Sequence, residues 1–503
     1  MALSSPTPSL LEKQDHLANS GANSALTDSS LSPYEDAEAV SFTEAEDRAL
    51  VRKLDRTLIP GFTFLYLLSF LDRSNIGNAK AAGMMTDIGL KSKPEAYNTA
   101  LALFFLGYVL FEIPANVVLK KFNPKVWLPT LTIAFGVAST LQCLVKSETG
   151  FYLARFWLGA SEAGLFPGLT FVMSMFYKRK ERTLRVSVFF GGAAIAGSFG
   201  GLLGWAIATP GHIKGGGLPG WGWLFAIEGI FTVLVGISAY WWVPGYPHQA
   251  KFLNDRERSI LIARLKADGD AGDEEPFSWN GVWQAIKDPL VNSYGWLFHL
   301  FAFSLYSLSL FLPTIIAGLG FQAWKAQLMT VPVYAVAFFA ILFFCFFSHK
   351  INARGPAIAI AGLIAIVGYV VIIATHTPGA RYAGVFVAVV GVYSGNALLL
   401  SWPSENVSPQ TKRATSTAMQ IFIGDIGAIA GVLIYRPDLS QHFYRVPHGI
   451  AILYMGLGVV LALAMSWRMH RANVERNEGR ASRVEKSGQE PKGDRARGYL
   501  FQI

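Results

Sequence analysis

What most restricts the fold of this chain is a succession of apolar stretches, each long enough to cross a bilayer. They fall at about 58 to 79, 97 to 119, 126 to 145, 150 to 176, 186 to 208 and 222 to 243. After a polar interval, six more follow at about 290 to 317, 326 to 347, 356 to 375, 381 to 402, 414 to 435 and 449 to 468. A helix needs roughly 20 apolar residues to span the hydrocarbon. A backbone surrounded by lipid must satisfy its own hydrogen bonds, which segments of this length do as helices. The expected architecture is an all-α membrane protein of twelve transmembrane helices in two six-helix bundles. Residues 1–57 are expected as a disordered N-terminal tail, 58–243 as the first bundle, 244–289 as a central loop, 290–468 as the second bundle and 469–503 as a C-terminal tail.

Composition agrees with this layout. The 503 residues are 52% hydrophobic and only 15% charged, against about 25% charged in ordinary soluble domains. The net charge of +9 does not predict nucleic-acid binding, because the bases sit in short clusters between apolar runs. Arg52, Lys53 and Arg56 precede the first segment, Lys120, Lys121 and Lys125 follow the second, and Lys178 to Arg185 follow the fourth. Lys350 and Arg354 follow the eighth, Lys412 and Arg413 the tenth, and Arg468 and Arg471 the twelfth. Such alternation places both termini and the central loop in the cytoplasm. Residues 1 to 45 contain no apolar stretch of the signal-peptide kind, so the first membrane helix is expected to direct insertion. Cys143 and Cys345 offer neither a disulfide framework nor metal-ligand spacing. No nucleophile–base pair or metal cluster appears, so neither enzymatic activity, nor a cofactor, nor a metal site is expected.

The two halves echo each other at an offset of about 231 residues. ERTLRVSVFFGGAAIAG falls over TKRATSTAMQIFIGDIG, which aligns Arg182 with Arg413, and LKKFNPK falls over SHKINARG. Two related six-helix halves enclosing a site near the bilayer midplane would produce this pattern.

Ionisable residues inside apolar runs are expensive, at about 2.5 to 3.5 kcal/mol each on the lenient insertion scale. The stretch SFLDRSNIGNA places Asp72 and Arg73 at membrane depth, with Asn75 beside them as a substrate-binding candidate. The fourth segment, FYLARFWLGASEAGLFPG, holds Arg155 and Glu162 two helical turns apart on one side, with Gly159 between them to admit another helix. The four charges are either interlocked salt bridges that hold helices together or a working site. Buried ion pairs contribute little net stability, which favours the working site. A carboxylate in such surroundings holds a proton more readily once a neighbouring guanidinium leaves it. An anion that engages Arg73 or Arg155 would therefore promote protonation of Asp72 or Glu162, and proton and anion would bind cooperatively.

Asp425, in IFIGDIGAIAG, is a further acid at membrane depth, open to a coupling role or to a bond with a neighbouring helix. In the tenth segment Tyr393, Asn396 and Trp402 are candidates to line a pocket, Trp402 with the alternative of an interfacial belt. His299 reads as a core histidine.

Four stretches resemble a known family: LDRSNIGNAKAAGM, RFWLGASEAGLFPG, SWPSENVSPQTKRA and YRPDLSQHFYRVPHG. They are similar to the fungal anion and cation symporters of the major facilitator superfamily, the branch that holds the allantoate, nicotinate, pantothenate and biotin permeases. The resemblance covers about residues 50 to 470 and implies the major facilitator fold. It also implies that Asp72 and Glu162 are proton sites and that Arg73 and Arg155 hold a substrate carboxylate. The chain departs from the family at Ser348-His349-Lys350, where Ser-Asp-Arg is usual, and at Gly424-Asp425, where Gly-Asn is frequent. The expectation is a multi-pass protein of the plasma membrane, a monomer whose partners are the lipid bilayer, protons and a small organic anion. Its expected activity is proton-coupled uptake by alternating access. An exporter of an acidic metabolite and a non-transporting nutrient sensor are the alternatives.

Overall fold

The computed structural model describes residues 41–208, 217–267, 278–408, 410–436, 439, 444–478, 494 and 499–503. The expected tail over residues 1–40, part of the central loop and most of the C-terminal tail lie outside these residues.

The first helix, α1 (Glu44–Ala81), starts well before its apolar part. Thr43 and Glu46 close a capping box: the Glu46 N–H donates to Thr43 Oγ1 at 3.2 Å and the Thr43 N–H donates to Glu46 Oε2 at 2.8 Å. Residues 44–57 are thus a helical extension, where a disordered tail was expected. Next come α2 (Glu95–Lys121), α3 (Pro124–Leu141), α4 (Glu148–Glu162), α5 (Leu165–Phe176), α6 (Arg179–Ala208) and α7 (Gly220–Trp242), with a single turn over Met84–Asp87 after α1. The central region carries two helices, α8 (Asp255–Ala267) and α9 (Trp279–Lys287). The second half consists of α10 (Pro289–Ala317), α11 (Ala323–Ile351), α12 (Arg354–Ala374), α13 (Pro378–Asn406), α14 (Gln410–Ile434) and α15 (Arg445–Asn477).

Among the described residues, 11 helices are long and apolar enough to cross a membrane. The fourth expected span is the exception, because it divides into α4 and α5 at Ala163-Gly164. Pro167 is the cause: it has no N–H to donate to the carbonyl four residues earlier, and its ring crowds that carbonyl. The break follows Glu162 directly. At the other end of the chain, α15 continues to Asn477, past the expected end of its span.

Helix pairing repeats between the halves. In the first half α1 packs on α6, α2 on α4 and α3 on α7; in the second α10 packs on α14, α11 on α13 and α12 on α15. The weak internal repeat in the sequence is therefore a real structural one. Small residues allow the closest crossings: a Cβ on Gly159 would stand 2.0 Å from the Phe104 carbonyl oxygen, and one on Gly107 would stand 2.3 Å from that of Phe156.

The halves meet along a seam in which α6 faces α11 and α13, α2 faces α14 and α1 faces α10. We call the face where α1 begins and α15 ends the near face. There α8 is clamped to α1 and α6 by ion pairs from Lys53 to Glu257 at 2.6 Å, Arg256 to Glu46 at 3.2 Å, Arg264 to Asp47 at 2.8 Å and Arg264 to Glu181 at 2.5 Å. At the opposite, far face the halves are bonded to each other. Asn98 Nδ2 donates to the carbonyls of Val432 (2.6 Å) and Tyr435 (3.1 Å), Gln327 Nε2 to that of Asn78 (3.1 Å), and the Tyr97 hydroxyl to that of Leu310 (3.3 Å). Toward the near face the halves are joined by Ser187 Oγ, which donates to the Ala397 carbonyl at 3.1 Å.

Candidate functional site in the seam

Consecutive residues of a helix point about 100° apart, so Asp72 and Arg73 serve different neighbours. Arg73 turns into the seam. Its guanidinium makes a salt bridge to Glu162 at the end of α4, and its NH1 donates to the Tyr306 hydroxyl of α10 at 2.8 Å. Ser69, one turn earlier on α1, donates its hydroxyl to the same Glu162 oxygen. The rings of Phe104, Tyr108 and Tyr306 surround the guanidinium at 5.1, 5.2 and 5.4 Å. Because Tyr306 belongs to the second half, this cluster ties the halves together at mid-depth.

Arg155 is fully buried and lies over the other side of the cluster, 5.0 Å from the Phe104 ring. Its NH1 donates to Gln142 Oε1 at 3.4 Å, while its Nε and NH2 have no hydrogen-bond partner in the protein. Two turns of helix do bring Arg155 and Glu162 to one side of α4, yet Glu162 is bonded to Arg73. The expected four-charge site is thus one ion pair plus an arginine with an open edge.

Asp72 stays inside the first half. It accepts from Ser139 Oγ of α3 at 2.8 Å, beside Thr232 of α7, and its second oxygen has no partner. It pairs with neither arginine. Asp425 of α14 is buried on the opposite side of the seam, within electrostatic range of Arg73 and Glu162. Tyr393 also reaches the seam: its hydroxyl shares a 2.7 Å hydrogen bond with Ser309, and its ring lies 6.5 Å from Phe70 of the first half and 5.8 Å from Tyr334.

Three other candidates lie elsewhere. Asn75 accepts from Asn78 at 3.1 Å and faces α6, where a Cβ on Gly200 would stand 2.9 Å from its Oδ1. The Asn396 amide donates to the carbonyls of Val392 (2.7 Å) and Phe301 (3.4 Å), which fixes α13 to α10. Trp402 is fully buried at the near end of α13, edge-on to Tyr294 at 5.3 Å, so it is not a lipid-belt residue and lies outside the charged cluster. His299 is half-buried, where a core histidine was expected, and its Nδ1 lies 3.0 Å from the Ile423 carbonyl oxygen.

Two buried acids were not anticipated, Glu112 of α2 and Glu228 of α7, and neither carboxylate has a partner in the protein. Glu228 stands within electrostatic range of Asp72, and Glu112 within that of Asp425. Both stand inside apolar runs, GYVLFEIPANVV and LFAIEGIF, and the criterion that singled out Asp72 would have found them. Among the described residues, no group of three or more His, Cys, Asp or Glu side chains is placed to hold a metal ion. What the seam offers is two guanidinium groups for an anion, carboxylates within reach of them, and aromatic walls that suit a flat ring.

Residues 62–432 match the family model described as Major Facilitator Superfamily. The transporter prlL of a fungal species is 34% identical to the chain over 461 residues, covering 89% of the chain and 91% of the relative. A high-affinity nicotinic acid transporter of Saccharomyces cerevisiae is 32% identical over 408 residues, covering 79% and 73%. Among solved structures, a bacterial homolog of the human lysosomal transporter Spinster, in an inward-facing and unoccupied conformation, superposes with a TM-score of 0.61 at 17% identity, covering 85% of this chain and 98% of that one.

Proposed function

Because the chain belongs to the Major Facilitator Superfamily, we propose that this membrane transporter is an uptake symporter of the fungal anion and cation symporter type, which moves a small organic anion together with protons. The observation that supports this reading best is the Arg73–Glu162 pair set in the seam, with the open edge of Arg155 on the far side of Phe104. A carboxylate arriving between the halves docks on the unpartnered Nε and NH2 of Arg155 and then competes with Glu162 for Arg73. Glu162, deprived of its guanidinium, takes a proton. Anion and proton binding reinforce each other through that exchange. Tyr306 reports the exchange to the second half, since it holds the same guanidinium. The near face, which carries the basic clusters, is cytoplasmic in this reading, and the membrane is the plasma membrane.

The aromatic walls suit a planar monocarboxylate, and nicotinate, which the yeast relative is named for, is the first compound to try. In proteoliposomes, an acidic exterior should drive accumulation of labelled nicotinate, and a protonophore should abolish it. Glu162→Gln should keep nicotinate exchange across equal pH while losing gradient-driven accumulation. Arg155→Lys should weaken binding about tenfold, since Lys cannot reproduce the planar fork that grips a carboxylate. Accumulation by Glu162→Gln equal to that of the unsubstituted protein would overturn the coupling scheme. Accumulation driven only by an acidic interior would assign export.

A further inference from the structure

The Ser-Trp-Pro-Ser-Glu-Asn stretch at the near end of α13 takes no part in the charged seam, yet its Trp402, Glu405 and Asn406 are buried. The segment Tyr499–Ile503 lies against them. Two asparagines grip consecutive residues of this segment by the main chain. Asn406 Nδ2 donates to the Gln502 carbonyl at 2.9 Å while its Oδ1 accepts the Gln502 N–H at 2.7 Å. Asn473 of α15 does the same with Phe501, at 2.9 Å and 2.8 Å. The Trp402 indole N–H adds a second bond to the Gln502 carbonyl, at 2.9 Å. Arg476 donates to the Tyr499 carbonyl and lies 4.5 Å over the Phe501 ring, and the Tyr499 hydroxyl donates to the Glu405 carbonyl at 3.0 Å.

The same segment completes a helix end. Ala353, at the N-cap of α12, has no capping side chain, and the Arg354 N–H donates to the main-chain oxygen of Ile503. The Arg354 side chain meanwhile holds Glu405 at 3.1 Å and Ser348 Oγ at 2.9 Å. Asp494 anchors the stretch further back, through Lys412 at 2.6 Å.

Paired donors and acceptors aimed at successive peptide units are what a backbone-reading site needs. A side-chain amide that uses both ends on one residue mimics a strand neighbour. We propose that the near end of the second half is a peptide-recognition site, filled in cis by Tyr499–Ile503, and that its occupancy sets how firmly the near ends of α12, α13 and α15 are held. Further along the same helix, α13 meets α6 through Ala397 and Ser187. Tethering to α15 raises the local concentration of the peptide to the order of mM. A modest intrinsic affinity then suffices for occupancy, and release remains accessible. The inference does not depend on which solute is carried.

Hydrogen–deuterium exchange on the full-length protein in detergent tests it. The Phe501 and Gln502 amides should exchange at least tenfold more slowly than a free peptide of the same sequence. Gln502→Ala should leave that protection intact, since Gln502 is read by its main chain, whereas Gln502→Pro removes the N–H that Asn406 accepts and should abolish it. In Gln502→Pro, peptides from the near ends of α12 and α13 should exchange severalfold faster, while those around Asp72 and Glu162 stay unchanged. Asn473→Ala should release the segment from the opposite side. Free-peptide exchange in the unsubstituted protein would overturn the proposal, as would protection that survives both Gln502→Pro and Asn473→Ala. Unchanged exchange of α12 and α13 after the segment is released would also overturn it.

Discussion

Asp72 and Glu162 carry the same group and meet different surroundings, yet neutralising either is expected to separate anion exchange from gradient-driven accumulation. Glu162 is bonded to Arg73 and Ser69 in the seam, whereas Asp72 is bonded to Ser139 inside one half. Asparagine at position 72 still accepts from Ser139 and removes only the capacity to bind a proton. Asp72→Asn should therefore reach the membrane folded and exchange anion, with gradient-driven accumulation reduced at least tenfold. Size-exclusion profiles of the solubilised variant and paired exchange and accumulation assays check both halves of this expectation. Loss of folded protein would assign Asp72 a structural role instead. Legibility at this scale followed a simple division. Cost identified Asp72, Arg73, Arg155, Glu162 and Asp425, and applied to every apolar run it would have added Glu112 and Glu228, since an ionisable group there is expensive wherever it points. Partner choice was hidden, because it depends on which helix faces each side chain. Asp72 and Arg73 are adjacent in sequence and separate in space, and the Arg155–Glu162 spacing was right about side but silent about Arg73.

At the scale of elements, the site depends on how closely α2 and α4 approach. Gly159 touches the main chain of Phe104, and the Phe104 ring supports both Arg73 and Arg155. Gly159→Val should force the helices apart, lowering stability by about 1 to 3 kcal/mol and weakening anion binding at the same time. Thermal unfolding in detergent, with and without anion, reads both effects. The role of Gly159 as a point of approach was visible in sequence, whereas the division of the fourth span was not, although Pro167 was there to suggest it. Spanning length conceals a break, because both pieces remain apolar. The α8 clamp gives a prediction of pH dependence. Partial burial raises the proton affinity of Glu257, but the Lys53 ammonium and the Asn254 N–H outweigh it and hold the carboxyl below its usual range. A carboxyl so depressed contributes stability above its unfolded pKa and loses it as pH falls through the folded value. Exchange of α8 amides, corrected for intrinsic rates, should therefore rise below about pH 4, and Glu257→Gln should remove part of that rise, with Glu46, which the Thr43 N–H and the Arg256 guanidinium also hold low, contributing the rest. The Lys53–Glu257 pair supports about 0.2 to 1 kcal/mol, so the effect is local fraying, with the spans intact.

For the whole molecule, the repeated pairing of helices follows from the internal echo in the sequence, but which face is shut does not. The contacts that shut the far face are ordinary amides and hydroxyls bonded to carbonyls, and nothing in their spacing distinguishes them from other polar residues at helix ends. Under the proposed alternating access they are where the equilibrium between the two openings would be set. Asn98 alone makes two bonds from α2 across the seam, to Val432 of α14 and to Tyr435 just beyond its end. Each such bond contributes about 0.5 to 1.5 kcal/mol net, so Asn98→Ala should shift the population toward opening at the far face by about 5- to 150-fold. Spin labels at Lys91→Cys and Gln322→Cys, exposed residues close to α2 and α11 at the far face, should show a longer distance component in that variant. Gln327→Ala removes the separate link from α11 to Asn78 and should add to the shift, because the two contacts share no partner. The Arg73–Tyr306 bond at mid-depth opposes full separation, so Tyr306→Phe combined with Asn98→Ala should give the largest far-open fraction. An unchanged distance distribution in all three variants would remove these contacts from the gate and leave apolar packing of α1 and α2 against α10 and α14 as what closes it.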